Sequence, residues 1–147
     1  MKTGYTMPEG FVPEKNVYEV ELNFKFDRND APFGLDLCIG EGRRLPIRFD
    51  PSTDTFTVDR TNCADVEIEK FPMTKSEVVA TDGENLHMRI FVDQSSVEIF
   101  LEEGRHSFSF LTYPSENQCG LEFYSEGKGP RCSYRIWPLE SIWKKID

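Results

Sequence analysis

Asp93, Ser95, Ser96 and Glu98 fall within six residues, a spacing at which paired acids or an acid beside a hydroxyl could do hydrolytic chemistry. Hydrolysis through two carboxyl groups needs them about 5–5.5 Å apart in a cleft, one with a raised pKa. With 26 acidic residues, pairs at such spacings arise throughout the chain. Asp93 suits a turn, and Glu98 an outward strand position beside Phe91, so the structural reading outweighs a catalytic one. Ser95 and Ser96 lack a Gly-x-Ser-x-Gly elbow, and the histidines that could serve as base, His87 and His106, are expected as strand residues facing solvent. Asp27, Asn29 and Asp30 begin like a calcium loop but lack its later ligands, which leaves a polar turn. Cys38, Cys63, Cys119 and Cys132 include no Cys-x-x-Cys pair, and the two histidines have no zinc-like spacing to any cysteine. Free thiols are expected, two bridges in any of three connectivities being the alternative. No metal and no cofactor are expected.

The wider sequence narrows the classes of partner. With 17 basic and 26 acidic residues the net charge is −9 and the pI about 4.8. Such a domain repels phosphate backbones and anionic lipids, which argues against nucleic-acid and membrane-surface functions. No apolar run reaches membrane-spanning length, and the first eight residues carry one Lys with no apolar stretch behind it, unlike a secretory signal. No Asn-x-Ser/Thr sequon occurs. A chain of 147 residues, 13% aromatic and 38% apolar, is long enough for one domain with its own core and too apolar for disorder.

The elements that must position these residues are strands. Gly4, Pro8, Gly10 and Pro13 mark residues 1–15 as a linker or extended arm, and a single domain is expected over 16–147. Tyr18, Val20, Leu22, Phe24 and Phe26 alternate with Glu19, Glu21, Asn23 and Lys25, the period of a half-buried strand. The same period recurs at Leu35, Leu37 and Ile39, at Leu45, Ile47 and Phe49, at Phe56 and Val58, and at Val66 and Ile68. Residues after Phe71 are less regular until Leu86, Met88, Ile90 and Val92, followed by Val97, Ile99 and Leu101. Short runs at 106–113, 119–124 and 132–137 follow, with Gly and Pro between them. Roughly ten strands at this spacing predict an all-β sandwich or barrel. Helical spacing occurs only at Leu139, Ile142, Trp143 and Ile146, so at most one short helix is expected.

A four-residue loop at 93–96 places Val92 opposite Val97, Ile90 opposite Ile99 and Met88 opposite Leu101, all apolar. The other face then pairs Phe91 with Glu98 and Arg89 with Phe100. Two Phe on a face that should otherwise be wet point to a covering partner, unless inside and outside are swapped or both faces are buried. Arg89 beside Phe100 suits a cation–π contact.

The run Ile90-Phe91-Val92-Asp93-Gln94-Ser95-Ser96-Val97-Glu98-Ile99-Phe100 resembles the signature of the C-terminal β-sandwich module of glycoside hydrolase family 32, the family of levanases, inulinases and invertases. The resemblance extends to Val58-Asp59-Arg60, Gly104, Tyr113-Pro114 and Leu139-Glu140-Ser141-Ile142-Trp143, and covers about residues 34–143. Gln94 stands where the family often has a basic residue, and Glu102-Glu103 where it often has Asn or Asp; both are read as surface variation.

The resemblance implies a two-sheet antiparallel sandwich of concanavalin/lectin-like jelly-roll type that follows a five-bladed catalytic propeller in the same enzyme. It implies no catalytic residue here. The family's carboxylate motifs, Trp-Met-Asn-Asp-Pro, Arg-Asp-Pro and Glu-Cys, do not occur, and the one Asp-Pro, Asp50-Pro51, follows Phe49. The function implied is a non-catalytic accessory domain of a fructan- or sucrose-cleaving enzyme, packed on the propeller or on a dimer partner. The alternative is a carbohydrate-binding module for fructan. Under either reading the contacts would come from Arg89, Phe91, Phe100, Trp137 and Trp143, although core or domain-contact positions suit both Trp as well. The compartment stays open, and would be periplasmic or extracellular for a secreted fructanase.

Overall fold

Strands that alternate apolar and polar side chains can bury their apolar faces only against another such sheet, and two sheets form around one core. The computed structural model describes residues 4–6, 16–63, 74–81, 83–112, 114, 115, 117–127 and 129–139. Its strands are β1 (Gly4–Thr6), β2 (Tyr18–Lys25), β3 (Phe33–Gly40), β4 (Arg43–Asp50), β5 (Thr55–Asp59), β6 (Thr74–Val78), β7 (Asn85–Val92), β8 (Ser96–Leu101), β9 (His106–Leu111), β10 (Gly120–Ser125) and β11 (Arg131–Pro138). All pairings are antiparallel, in a six-stranded sheet of order β1-β10-β3-β4-β5-β6 and a five-stranded sheet of order β11-β2-β7-β8-β9. The expected two-sheet sandwich is the fold, and no helix occurs among the described residues.

The core is the set of residues the alternation selects. Tyr18, Val20, Leu22 and Phe24 of β2 and Leu86, Met88, Ile90 and Val92 of β7 face Phe33, Leu35, Leu37, Leu45, Ile47 and Phe49 of the other sheet, all buried. Phe24 and Phe33 lie 4.9 Å apart between ring centroids, as do Phe56 and Phe108, so aromatic pairs join the two layers. Each such side chain contributes about 1.5–3 kcal/mol by leaving water.

Several elements depart from the simple pattern. Gly4–Thr6, in the stretch read as a linker or arm, pairs with β10 as an edge strand. Ile39 leaves the core alternation because β3 bulges before Gly40, with Cys38 fully buried at φ 52°. Strand β6 falls in the region that looked irregular. All five of its residues are exposed, so no buried face imprints a period on the sequence. The expected strand at Val66 and Ile68 and the tail helix with Trp143 lie outside the described residues, as does Tyr113.

The four cysteines are free thiols. Burial pushes both Cys38 and Cys132 up to about 12 from 9.0, and raises the Tyr18 hydroxyl well above its ordinary value. A raised folded-state value means that the folded chain keeps protons the unfolded chain releases. Stability from these groups is therefore complete below about pH 9 and is lost as pH rises toward 12, by roughly 1.4 kcal/mol per pH unit for each thiol. Urea unfolding at pH 8, 9.5 and 10.5 should show this decline. The double variant Cys38→Ala/Cys132→Ala should make it shallower, the remainder coming from Tyr18 and Cys63, and an equally steep decline in the variant would assign it to other groups.

Candidate functional site

The family-like hairpin forms in the register its residues predict, with Val92 opposite Val97, Ile90 opposite Ile99, Phe91 opposite Glu98 and Arg89 opposite Phe100. Val92 and Val97 are buried, whereas Phe91 and Phe100 stand half-buried on the outer face of the five-stranded sheet. Inside and outside are not swapped. Asp93 is exposed in the turn, where its Oδ1 accepts the Gln94 N–H at 2.6 Å and its own N–H donates to the Ser96 carbonyl at 2.9 Å. The Ser95 carbonyl accepts the Thr112 N–H at 2.9 Å, which ties the turn to the end of β9. Asp93, Ser95 and Ser96 therefore shape the hairpin end, and Glu98 points outward in the exposed row beside Ser109.

Strand pairing extends this outer face across the sheet. One row runs Trp137, Glu19, Phe91, Glu98, and the next runs Arg135, Glu21, Arg89, Phe100. Phe91 and Phe100 meet edge to face at 5.9 Å. The Arg89 guanidinium is ion-paired with Glu19, a residue only 5% exposed, and lies 5.8 Å from the Phe91 ring centroid. The cation–π partner of Arg89 is therefore Phe91, not the expected Phe100. The pairing across β2 favours this, because it sets Glu19 directly opposite Phe91 and draws the guanidinium that way. Trp137 is half-buried on the outer face of edge strand β11, neither core nor fully exposed. The structure thus gathers Arg89, Phe91, Phe100 and Trp137 on one face, while Trp143 lies outside the described residues.

Further along that face the next row brings together Asn23, His87 and the turn that starts at Glu102. Glu102 was read as surface variation, but it is 8% exposed, and its Oε1 accepts the His87 N–H at 2.9 Å while its own N–H donates to the His87 carbonyl at 3.0 Å. Glu102 and Glu103 both take left-handed backbone, with φ of 52° and 59°, which costs non-glycine residues about 1–3 kcal/mol each. The family's Asn or Asp at this spot suits that conformation better than Glu does. His87 stands half-buried on the outer face, as its strand phase predicts, whereas His106, also half-buried, turns toward the other sheet, its Nδ1 3.2 Å from Glu77 Oε1.

Elsewhere the motif pieces hold structure together. Asp59 Oδ1 accepts the Thr61 N–H at 2.9 Å, and Arg60, only 3% exposed, donates to the Leu111 carbonyl at 2.9 Å, linking the ends of the two sheets. Asp27 Oδ1 accepts the Asn29 N–H and Asp30 Oδ2 the Asp27 N–H, both within their own turn. Among the described residues no group of three or more His, Cys, Asp or Glu side chains is placed to hold a metal ion. Sequence reasoning missed Glu19 as the Arg89 partner and Glu102 as a buried clamp. The outward phase of Glu19 was visible, but its neighbours on β7 were not.

Three comparisons set this geometry among known proteins. The family described as glycosyl hydrolases family 32 C terminal matches residues 3–138. A levanase of Bacillus sp. (strain L7) is 31% identical over 134 residues, 88% of this chain and 14% of that protein. A levanase of Bacillus subtilis (strain 168) is 29% identical over 132 residues, 87% of this chain and 20% of that protein. The chain therefore spans a fifth or less of these relatives' length. The exo-inulinase of Aspergillus awamori shares the fold with a TM-score of 0.85 at 22% identity, over 97% of this chain and 28% of that one.

Proposed function

We propose a function from the premise that this chain belongs to the glycosyl hydrolase family 32 C-terminal family: it is the non-catalytic accessory sandwich of a fructan- or sucrose-cleaving enzyme. In this reading the chain packs against the enzyme's catalytic propeller or a dimer partner and stabilises it, while bond cleavage takes place outside this domain. The observation that carries the reading is the match to a small part of much longer levanases, joined to a sequence without the family's three carboxylate motifs. The outer face of the five-stranded sheet supports it, since Phe91, Phe100 and Trp137 stand half-buried where water alone would favour polar side chains. Asp93 and Glu98 also fit it, being spent on a turn and an exposed strand position.

The test is reducing-sugar release by the pure chain from levan, inulin and sucrose. No release above a heat-denatured control is the expected result. Release that survives purification to homogeneity overturns the reading.

A further inference from the structure

We propose that the groove beside the outer edge of β9 is a docking site for an extended polypeptide segment, which adds as a strand to β9 and presents an acidic side chain to Lys75. The site goes beyond the packing role, because it lies at the open side of the sandwich and offers main-chain groups that a sheet face does not. Among the described residues β9 ends the five-stranded sheet and β6 the six-stranded one. The two ends stack, since the Lys75 ammonium of β6 lies 5.0 Å from the Phe108 ring centroid and Glu77 meets His106. Beside the Leu111 end of β9 lies a groove of about 610 Å³, lined by Ser109, Phe110 and Leu111 of β9 and by Thr74, Lys75 and Ser76 of β6.

Strand pairing decides which main-chain groups face this groove. In an antiparallel pair, alternate residues turn both N–H and C=O toward the partner strand, and the residues between them turn both away. The Thr112 N–H donates to the Ser95 carbonyl at 2.9 Å, which puts Phe110 and Phe108 in the set bonded to β8 and turns the main chain of Ser107, Ser109 and Leu111 outward. Arg60 marks that direction, its Nη1 donating to the Leu111 carbonyl at 2.9 Å from beyond the edge. The outward groups of Ser107 and Ser109 meet no partner among the described residues. Residues 107–111 also carry no proline, bulge or charge, the usual guards of an edge strand.

Side chains set what the added strand must carry. On the side facing across the sandwich it would lie beside Phe110 and Phe108, whose rings stack 6.3 Å apart. Phe110 keeps 7% of its surface exposed against 1% for Phe108, so an apolar residue fits against Phe110. Two residues along, Lys75 covers Phe108, and no carboxylate pairs with its ammonium among the described residues. A strand antiparallel to β9 therefore places an apolar residue first and an acidic one two positions later, with the acid answering Lys75. A wholly apolar strand is rejected, because it would bury that ammonium unpaired. In this mode of recognition the main-chain bonds supply affinity and the alternate side chains specificity.

Fluorescence anisotropy of the chain with a labelled, end-capped Thr-Val-Thr-Glu-Thr peptide tests the site. Saturable binding is expected. It should weaken at least tenfold for a peptide with Lys in place of Glu, and for one N-methylated at its three Thr residues, whose N–H groups would face β9. Lys75→Glu alters an exposed side chain and should reverse the preference between the Glu and Lys peptides while the thermal midpoint stays within a few degrees. Amide exchange at Ser107, Ser109 and Leu111 should slow at least tenfold at saturating peptide. Absence of binding, equal binding of the Lys or N-methylated peptide, or an unchanged preference in Lys75→Glu would overturn the proposal. Self-association of the chain that excludes the peptide would overturn it too, giving the edge to a second copy. None of these outcomes involves sugar release, so failure here is distinct from failure of the accessory reading.

Discussion

Replacing Gly34 with alanine is expected to cost the fold about 3 kcal/mol or more, enough to lower the thermal midpoint by roughly 10 °C in a domain of this size. The cause is a backbone approach that leaves no room for a side chain. A Cβ on Gly34 would lie 1.9 Å from the Ile47 carbonyl oxygen and 2.9 Å from its carbon. Both atoms belong to main chain paired in register with β3, so relief requires β3 and β4 to separate where Leu35 faces Ile47. Gly34 also pairs with Tyr124 of β10, which stops β3 from retreating on its other side. Thermal unfolding followed by circular dichroism reads the effect. An unchanged midpoint would mean that the two strands do not approach as closely as this register places them. Gly42→Ala is the control, because a Cβ there meets nothing within 4 Å, although its φ of 74° adds a small strain of its own.

A loss of similar size is expected for Asp36→Ala. Asp36 sits on the outer face of the six-stranded sheet and is nevertheless fully buried, roofed by two arginines. Its Oδ2 lies 2.7 Å from Arg44 Nη1 and its Oδ1 2.6 Å from Arg48 Nη1. Arg44 also reaches Glu122 Oε1 at 3.2 Å, and the Arg48 guanidinium lies 3.7 Å from the Tyr124 ring centroid. Truncating the shared carboxylate leaves two guanidiniums side by side with half their compensation gone, and breaking a buried pair in this way costs about 3–5 kcal/mol. The arginines are partly exposed, at 33% and 22%, so water recovers some of that and the lower end of the range applies. Chemical denaturation should give a shift of about 3 kcal/mol for Asp36→Ala and a smaller one for Arg44→Ala. A larger loss for Arg44→Ala would place the weight of the cluster on Glu122 instead.

What was legible in the sequence was whatever neighbouring residues decide between themselves. The β7–β8 register follows from a short loop and three apolar pairs, all within Met88–Leu101, and the structure reproduces it pair for pair. The strand β2 declared itself by alternation, including the outward phase of Glu19, Glu21 and Asn23. Its neighbours did not, because pairing Tyr18 with Val92 and Pro138 is a choice among many apolar faces made by the whole core. The groove beside β9 was invisible for the same reason, drawing on residues 74–76 and 109–111 that meet only once the two sheets stack. Glu102 was misread because nothing in a Glu-Glu pair announces a left-handed backbone. The β6 strand left no pattern because it has no buried face.

That last strand bears on solubility in crowded solution. Among the described residues β6 ends the six-stranded sheet, and an open edge is a template on which a second molecule can polymerise. On the side that faces across the sandwich, where another chain would need apolar side chains to continue the core, β6 carries Lys75 and Glu77. The Lys75 ammonium lies 5.0 Å from the Phe108 ring centroid, and Glu77 pairs with His106 of the opposite sheet. Any strand added there would have to strip water from both charges, so the rim resists fibre growth.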